Sequence, residues 1–233
     1  MSNDRKTPDP GSLPFTILHL GADWLAIDKP AGLAVHPGPR TPHSLEDHLP
    51  ALARLLGQRR PPVLMHRLDR DTSGCLLLAR TVGGRRWLAQ AFEARQVEKT
   101  YLAQLDALPE ADAGEIDAPL AKISTVEAGW RMVVDTVRGK AARTRWRVLD
   151  RDTRLVAMMP ATGRTHQLRV HATLIGGAII GDSVYGRAAA GGLRLHARSL
   201  MVPQPSAPPV RIDAALPARW GLPEGLMSAW GLG

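Results

Sequence analysis

The sequence predicts an α+β domain: a mixed, largely antiparallel sheet flanked by helices and loops. Segments with the two-residue period of strands outnumber those with helical period, and most joins between them are short enough to be hairpins. The regular strand–helix alternation of a doubly wound parallel sheet is missing. With 233 residues, 44% of them hydrophobic, the chain can bury a sizeable core.

Residues 1–14, rich in Pro, Asp, Ser and Lys, read as a disordered tail, which leaves residues 15–233 as the domain. Strands are predicted over 15–20 and 24–28, around a turn at Gly21, Ala22 and Asp23. Pro30, Gly32, Pro37 and Gly38 then make a loop of residues 29–38. Ser44 and Asp47 have the spacing of a capping box and open a helix toward Leu56. A polar knot, HRLDRDTSG (66–74), precedes the apolar run Cys75, Leu76, Leu77, Leu78, which reads as a strand to Arg80. Trp87, Ala91 and Ala94 share one face of a helix predicted over 84–95, and a strand follows over 97–105.

In residues 140–149, Ala142, Thr144, Trp146 and Val148 alternate with Arg143, Arg145 and Arg147. Period two puts the arginines on one face of a strand, either a solvated outer face or a stripe that meets phosphate. A hairpin turn at 150–153 leads to a return strand over 155–159, then a helix over 165–176 and a strand over 193–202. Residues 106–139 and those after 203 offer no comparable pattern.

The net charge is +8, with 30 Lys and Arg against 22 Asp and Glu. Such an excess favours a polyanionic partner, nucleic acid first. A genome rich in G and C, which raises Arg, Ala, Gly and Pro together, is the competing explanation. One cysteine, Cys75, excludes an intramolecular disulfide and a multi-cysteine metal site. The first 14 residues lack the apolar core of a secretory signal. The most apolar long stretch, LRVHATLIGGAII, is short and contains Arg169 and His171, against a membrane span. A cytoplasmic monomer is the expectation.

Several chemistries are excluded by their motifs. There is no phosphate-binding G-x-x-x-x-G-K-[ST] loop and no G-x-S-x-G elbow around Ser73. Leu68 interrupts the kinase H-R-D pattern, and no D-F-G follows. His166 and His171 would lie about 140° apart on a helix, on different faces, so no metal pair is predicted. Asp69, at the centre of the knot, reads as either a turn residue capping a backbone amide or a reactive carboxylate.

Six segments decide between these. DKPAGLAVHPG (28–38), HRLDRDTSG (66–74), KTYLA (99–103), TGRTHQLRVH (162–171), GDSVYG (181–186) and LRLHA (193–197) occur in this order. The sequence resembles the RluA-type pseudouridine synthases, compact members without the S4-type RNA-binding domain, since 14 residues before the first strand leave no room for one.

The resemblance implies a catalytic domain with a basic cleft that isomerises uridine to pseudouridine in tRNA, 23S rRNA or both. The glycosidic bond breaks, uracil turns and a C–C bond forms, with no net redox change, so no metal or other cofactor is expected. Asp69 would be the nucleophile, attacking ribose C1′ or uracil C6. Arg164 would be the guanidinium that keeps that carboxylate ionised in a closed pocket, and Tyr101 would stack on the uracil and assist removal of the C5 proton. The uridine must be flipped out, and Arg67 is the candidate to fill the vacated stack or hold the displaced strand, against a plain phosphate contact or a surface ion pair with Asp71. Leu168 and Val170 are expected as pocket walls; Lys29, Arg169 and His171 either line the RNA groove or support the fold. His66 is expected to be structural. A non-catalytic RNA-binding protein on the same fold is the alternative.

Overall fold

The computed structural model describes residues 13–38, 41–125 and 129–222. The predicted tail therefore falls outside the described residues, apart from positions 13 and 14. The chain forms two compact units: residues 1–97 with 201–214, and residues 98–200 with 215–233.

The first unit starts with β1 (Thr16–Leu20) and β2 (Trp24–Lys29), paired antiparallel as the hairpin pattern predicts. A 3-10 turn over Leu45–His48 leads into α1 (Leu49–Leu55), and the Asp47 carboxylate accepts from the Ser44 N–H at 3.0 Å, as the capping spacing anticipates. Pro50 in the first turn suits the helix, because its missing N–H would have no intrahelical partner there. β3 (Val63–Leu64) and β4 (Ser73–Ala79) follow, and both β2 and β3 pair antiparallel with β4. All seven β4 residues are buried, so the strand lacks the alternation of a half-exposed strand.

Helix α2 (Val82–Glu93) starts two residues before the sequence-based boundary. Thr81 explains the shift: its Oγ1 accepts from the Gly84 N–H at 3.0 Å and its hydroxyl donates to Asp23 Oδ1 at 2.6 Å. The glycine pair at 83 and 84 weakens the helical pattern, yet Gly84 is where the helix comes closest to Asp23.

The second unit contains β5 (Glu98–Gln104), β6 (Ala113–Asp117), β7 (Leu120–Thr125), β8 (Gly129–Val134), β9 (Arg143–Asp150), β10 (Leu155–Pro160), α3 (Gln167–Ile175) and β11 (Leu195–Val202). Its sheet runs in the order β11-β5-β10-β9-β6, and β7 and β8 form a separate antiparallel ribbon. The β5–β10, β9–β10 and β6–β9 pairings are all antiparallel. Two apolar clusters lie among its described residues. Leu102, Leu149, Leu155, Ala157 and Trp220 pack on one side, and Leu120, Met132, Ala142 and Val170 join the ribbon to α3. The last element, β12 (Val210–Asp213), returns to the first unit, where the buried Cys75 thiol faces the Ile212 carbonyl at 3.8 Å.

The architecture is α+β and largely antiparallel, as predicted. Residues 106–139, which had no assignment, supply three strands. On β9 the burial alternates as the sequence requires, with Arg143, Arg145 and Arg147 exposed. Arg143 meets Glu115 at 3.1 Å and Asp117 at 3.0 Å on β6, which fits a solvated outer face.

Gly84→Ala tests the packing of α2. A Cβ there would sit 2.4 Å from the Asp23 carbonyl oxygen, which also accepts from the Arg80 N–H at 2.7 Å and has little freedom to move. The gain in helix propensity is about 1 kcal/mol, against an overpacking cost of about 1–3 kcal/mol. A lowered melting temperature is expected, and an unchanged or raised one would show that the turn yields cheaply.

Candidate functional site

In the first unit two motifs separated by about 40 residues of sequence meet at one peptide group. The Arg70 carbonyl accepts from the Gly32 N–H at 2.9 Å and from Lys29 Nζ at 3.0 Å. The same ammonium donates to the Pro30 carbonyl at 2.7 Å and the Leu33 carbonyl at 2.8 Å, so all three of its N–H groups are used. Lys29 is 0% exposed. Burial pulls its pKa down to about 8, opposed by the charges of Asp71, Asp69 and Asp28, so it remains a cation at neutral pH. Gly32, with φ +88, is in the left-handed region that glycine adopts without cost.

Asp69 lies on the loop fixed in this way, half-buried, and its carbonyl accepts from the Thr72 N–H at 3.2 Å. Thr72 and Ser73 are buried, and Gly74 takes φ +108 opposite Lys29 where β4 begins. These three residues shape the turn that leads from the aspartate into the core strand. His66 accepts from the Leu77 N–H at 3.1 Å and packs beside Phe92. Arg67 is exposed, and the ion pair made by Asp71 is with Arg70, at 2.9 Å.

The second unit carries Tyr101 and Arg164. Tyr101 is buried on β5, opposite Met158 of β10. Arg164 is exposed, with Nε donating to the Ala141 carbonyl at 3.0 Å. Its backbone is held by Gln167, whose Oε1 accepts from the Arg164 N–H at 3.0 Å and from the Thr162 hydroxyl at 2.7 Å. Gln167 Nε2 donates to the Arg143 carbonyl at 3.0 Å and to Thr144 Oγ1 at 2.9 Å. The chain of bonds continues to His171, whose Nδ1 lies 2.9 Å from Thr144 Oγ1 and whose Nε2 lies 3.1 Å from the Ala118 carbonyl. That carbonyl can only accept, so Nε2 carries the proton and Nδ1 accepts from Thr144. Burial lowers the His171 pKa and keeps the ring neutral.

Arg169 is 8% exposed and makes a two-pronged pair with Asp182, both contacts 2.7 Å. Burial pushes the Asp182 carboxyl up, but the Arg169 hydrogen bond and charge and the Val184 and Tyr185 N–H groups outweigh it and hold the pKa low. Leu168 and Val170 are buried, Val170 against the ribbon. Sequence reasoning left open whether Lys29, Arg169 and His171 face RNA or support the fold, and their buried internal bonds fit support. It assigned no role to Gln167 or Asp182. The fixed places of these residues in TGRTHQLRVH and GDSVYG were the available signal. Among the described residues no group of three or more His, Cys, Asp or Glu is placed to hold a metal ion, and no helix is long and apolar enough to cross a membrane.

Residues 23–174, well over half of the chain, match the family model for RNA pseudouridylate synthase. The chain belongs to this family of isomerases, which convert uridine in RNA to pseudouridine, and within it to the RluA type. An uncharacterised RNA pseudouridine synthase of Zymomonas mobilis is 46% identical over 86% of this chain and 93% of its own length. Ribosomal large subunit pseudouridine synthase D of the same organism is 35% identical over 77% of this chain, which spans 58% of that protein. Human RNA pseudouridylate synthase domain containing 4 superposes with a TM-score of 0.73 at 29% identity, covering 88% of this chain and 90% of its own.

Two substitutions test these supports. Lys29→Met leaves the Pro30 and Leu33 carbonyls without their donor and the Arg70 carbonyl with Gly32 N–H alone; it is expected to cost about 1–3 kcal/mol, with the Thr72 amide exchanging its hydrogen faster. An unchanged exchange rate would show that the loop holds itself. Asp182→Asn leaves the Arg169 charge buried without its counter-charge, for about 3–5 kcal/mol. Because the folded pKa of Asp182 is depressed, its stabilisation is present above the ordinary carboxylate range and is lost as pH falls through that lower value. Melting curves of wild type and variant should therefore converge in acid, and a gap independent of pH would refute the ionic reading.

Proposed function

We propose that the chain isomerises a uridine of large-subunit ribosomal RNA, with Asp69 as the nucleophile. Support for the reaction comes from membership of the family. Support for the RNA comes from the 35% identical relative named for the large ribosomal subunit. The observation that carries the catalytic assignment is the Asp69 loop, where a fully buried lysine and Gly32 fasten the neighbouring carbonyl and leave the carboxylate half-buried.

In the reaction the C1′–N1 bond breaks and uracil is held while it turns. A C1′–C5 bond then forms, the C5 proton departs to solvent and N1 gains one. Atoms balance without an external reductant or oxidant. Asp69 bonds transiently to ribose C1′ or uracil C6, and that bond breaks again as the C1′–C5 product is released, so the carboxylate is regenerated; a fixed loop keeps it near the attacking geometry from turnover to turnover. Arg164 has the part of the guanidinium that favours the ionised carboxylate, and Tyr101 that of the uracil platform. Arg67 has the part of the side chain that fills the gap left by the flipped nucleotide.

Unmodified large-subunit rRNA and tRNA transcripts, tritiated at uracil C5, test this directly. Wild type should release tritium from the ribosomal RNA, and Asp69→Asn should release none while binding the same RNA within about twofold, because affinity rests mostly on phosphate contacts. Turnover by Asp69→Asn would overturn the nucleophile. Release from tRNA alone would overturn the substrate. Binding without release from either RNA would leave an RNA-binding protein.

A further inference from the structure

The β7–β8 ribbon and the loop after β10 line an open hollow of about 520 Å³, and apart from Arg164 the proposed reaction leaves its lining without a role. Leu120, Lys122, Trp130, Met132, Lys140 and Arg164 line it. In the ribbon's register Leu120 faces Val134, Lys122 faces Met132 and Ser124 faces Trp130, so Lys122 and Trp130 are diagonal neighbours on one face. The inner end of that face is core, where Leu120 and Met132 pack against Ala142 and Val170. At the outer end Trp130 stays 42% exposed.

An indole at the mouth of a basic hollow needs an explanation other than core packing. Its position is well defined. Lys122 Nζ sits 5.5 Å from the ring centroid, and His166 meets the ring at 90° with centroids 4.9 Å apart. His166 is braced in turn by the Tyr185 hydroxyl at 2.9 Å, which also accepts from the Met132 N–H at 2.9 Å. Lys140 is fixed through paired backbone hydrogen bonds with Leu120. Arg138, also at the hollow, is occupied by Asp135 at 2.9 Å. A held aromatic plane beside fixed cations has the chemistry of a single-stranded nucleic-acid platform: a base stacks on the ring while ammonium groups meet the adjoining phosphates.

We propose that Trp130 is a stacking platform for an unpaired nucleobase of the RNA substrate next to the target uridine, with Lys122 and Lys140 contacting its flanking phosphates. The inference rests on the proposed function, since Arg164, assigned there to the reaction, borders the same hollow. The ribbon would then help to select RNA in which the nucleotide beside the target is splayed out of its helix. Trp130 acts here in recognition, not in the chemical step.

The test measures binding apart from turnover, using the same rRNA and tRNA transcripts and the intact protein. Trp130→Ala should weaken binding about tenfold or more, raising KM while kcat at saturating RNA stays within about twofold. Trp130→Phe, which keeps an aromatic face, should stay within about threefold of wild type, whereas Trp130→Leu, which keeps apolar bulk alone, should behave like the alanine variant. Lys140→Ala should lower the salt dependence of binding by about one phosphate contact. Wild-type affinity in Trp130→Leu, or an unchanged affinity in Trp130→Ala with an unchanged melting temperature, would overturn the proposal. If wild type binds RNA and these differences appear without tritium release, the platform stands and the isomerase reading falls. If wild type binds neither RNA, both fall.

Discussion

The ammonium of Lys29, buried and hydrogen-bonded to three backbone carbonyls, is the constraint on which the first unit's Asp69 loop depends. A desolvated cation is costly, and a carbonyl cluster around it offsets the cost only when every donor is used. The requirement acts in both directions: the lysine needs the loops at 30–33 and 70, and those loops turn three carbonyls toward its one ammonium. The result is a carboxylate loop whose shape is set from beneath by a core strand. That suits the role proposed for Asp69, which requires the same geometry at every turnover.

The second unit solves a similar problem with a neutral group. Gln167 uses both amide protons and its oxygen to join Arg164, Thr162, Thr144 and the Arg143 carbonyl. A satisfied amide can be buried without the desolvation penalty of a charge. It therefore fixes the backbone of Arg164 while the guanidinium itself stays near water. Arg169 and Asp182 form the costlier kind of support, an ion pair buried at the far side of α3 and reinforced by two backbone N–H groups. Both devices are directional, and both act on the first turns of one helix.

The β7–β8 ribbon shows how core packing and recognition can share a surface. Its inner residues complete an apolar cluster with α3, and the same face ends outside in an indole and an ammonium. Binding energy spent there acts on a nucleotide that does not react. It can set which RNA is held without altering the charge arrangement at the reacting atoms.

Much of this was legible in the sequence. The period-two pattern of residues 140–149 fixed both the strand and its arginine face, and the apolar run after HRLDRDTSG fixed β4. The capping spacing at Ser44 and Asp47 located a helix start. These signals are local, because strand alternation and helix caps act over a few residues. Ribbon strands β7 and β8 gave no such signal: they are short, half-exposed and defined by their pairing with each other and by packing on α3. The start of α2 after Thr81 was hidden by two glycines, of which Gly84 is explained by its close approach to Asp23. The sequence by itself determined the class of fold and the family, and it singled out Asp69 as the candidate carboxylate. Tertiary structure decided that Lys29, Arg169 and His171 are buried with internal hydrogen-bond partners and that Gln167 bonds the Arg164 backbone, because burial and partners depend on residues far away in sequence and no local pattern encodes them.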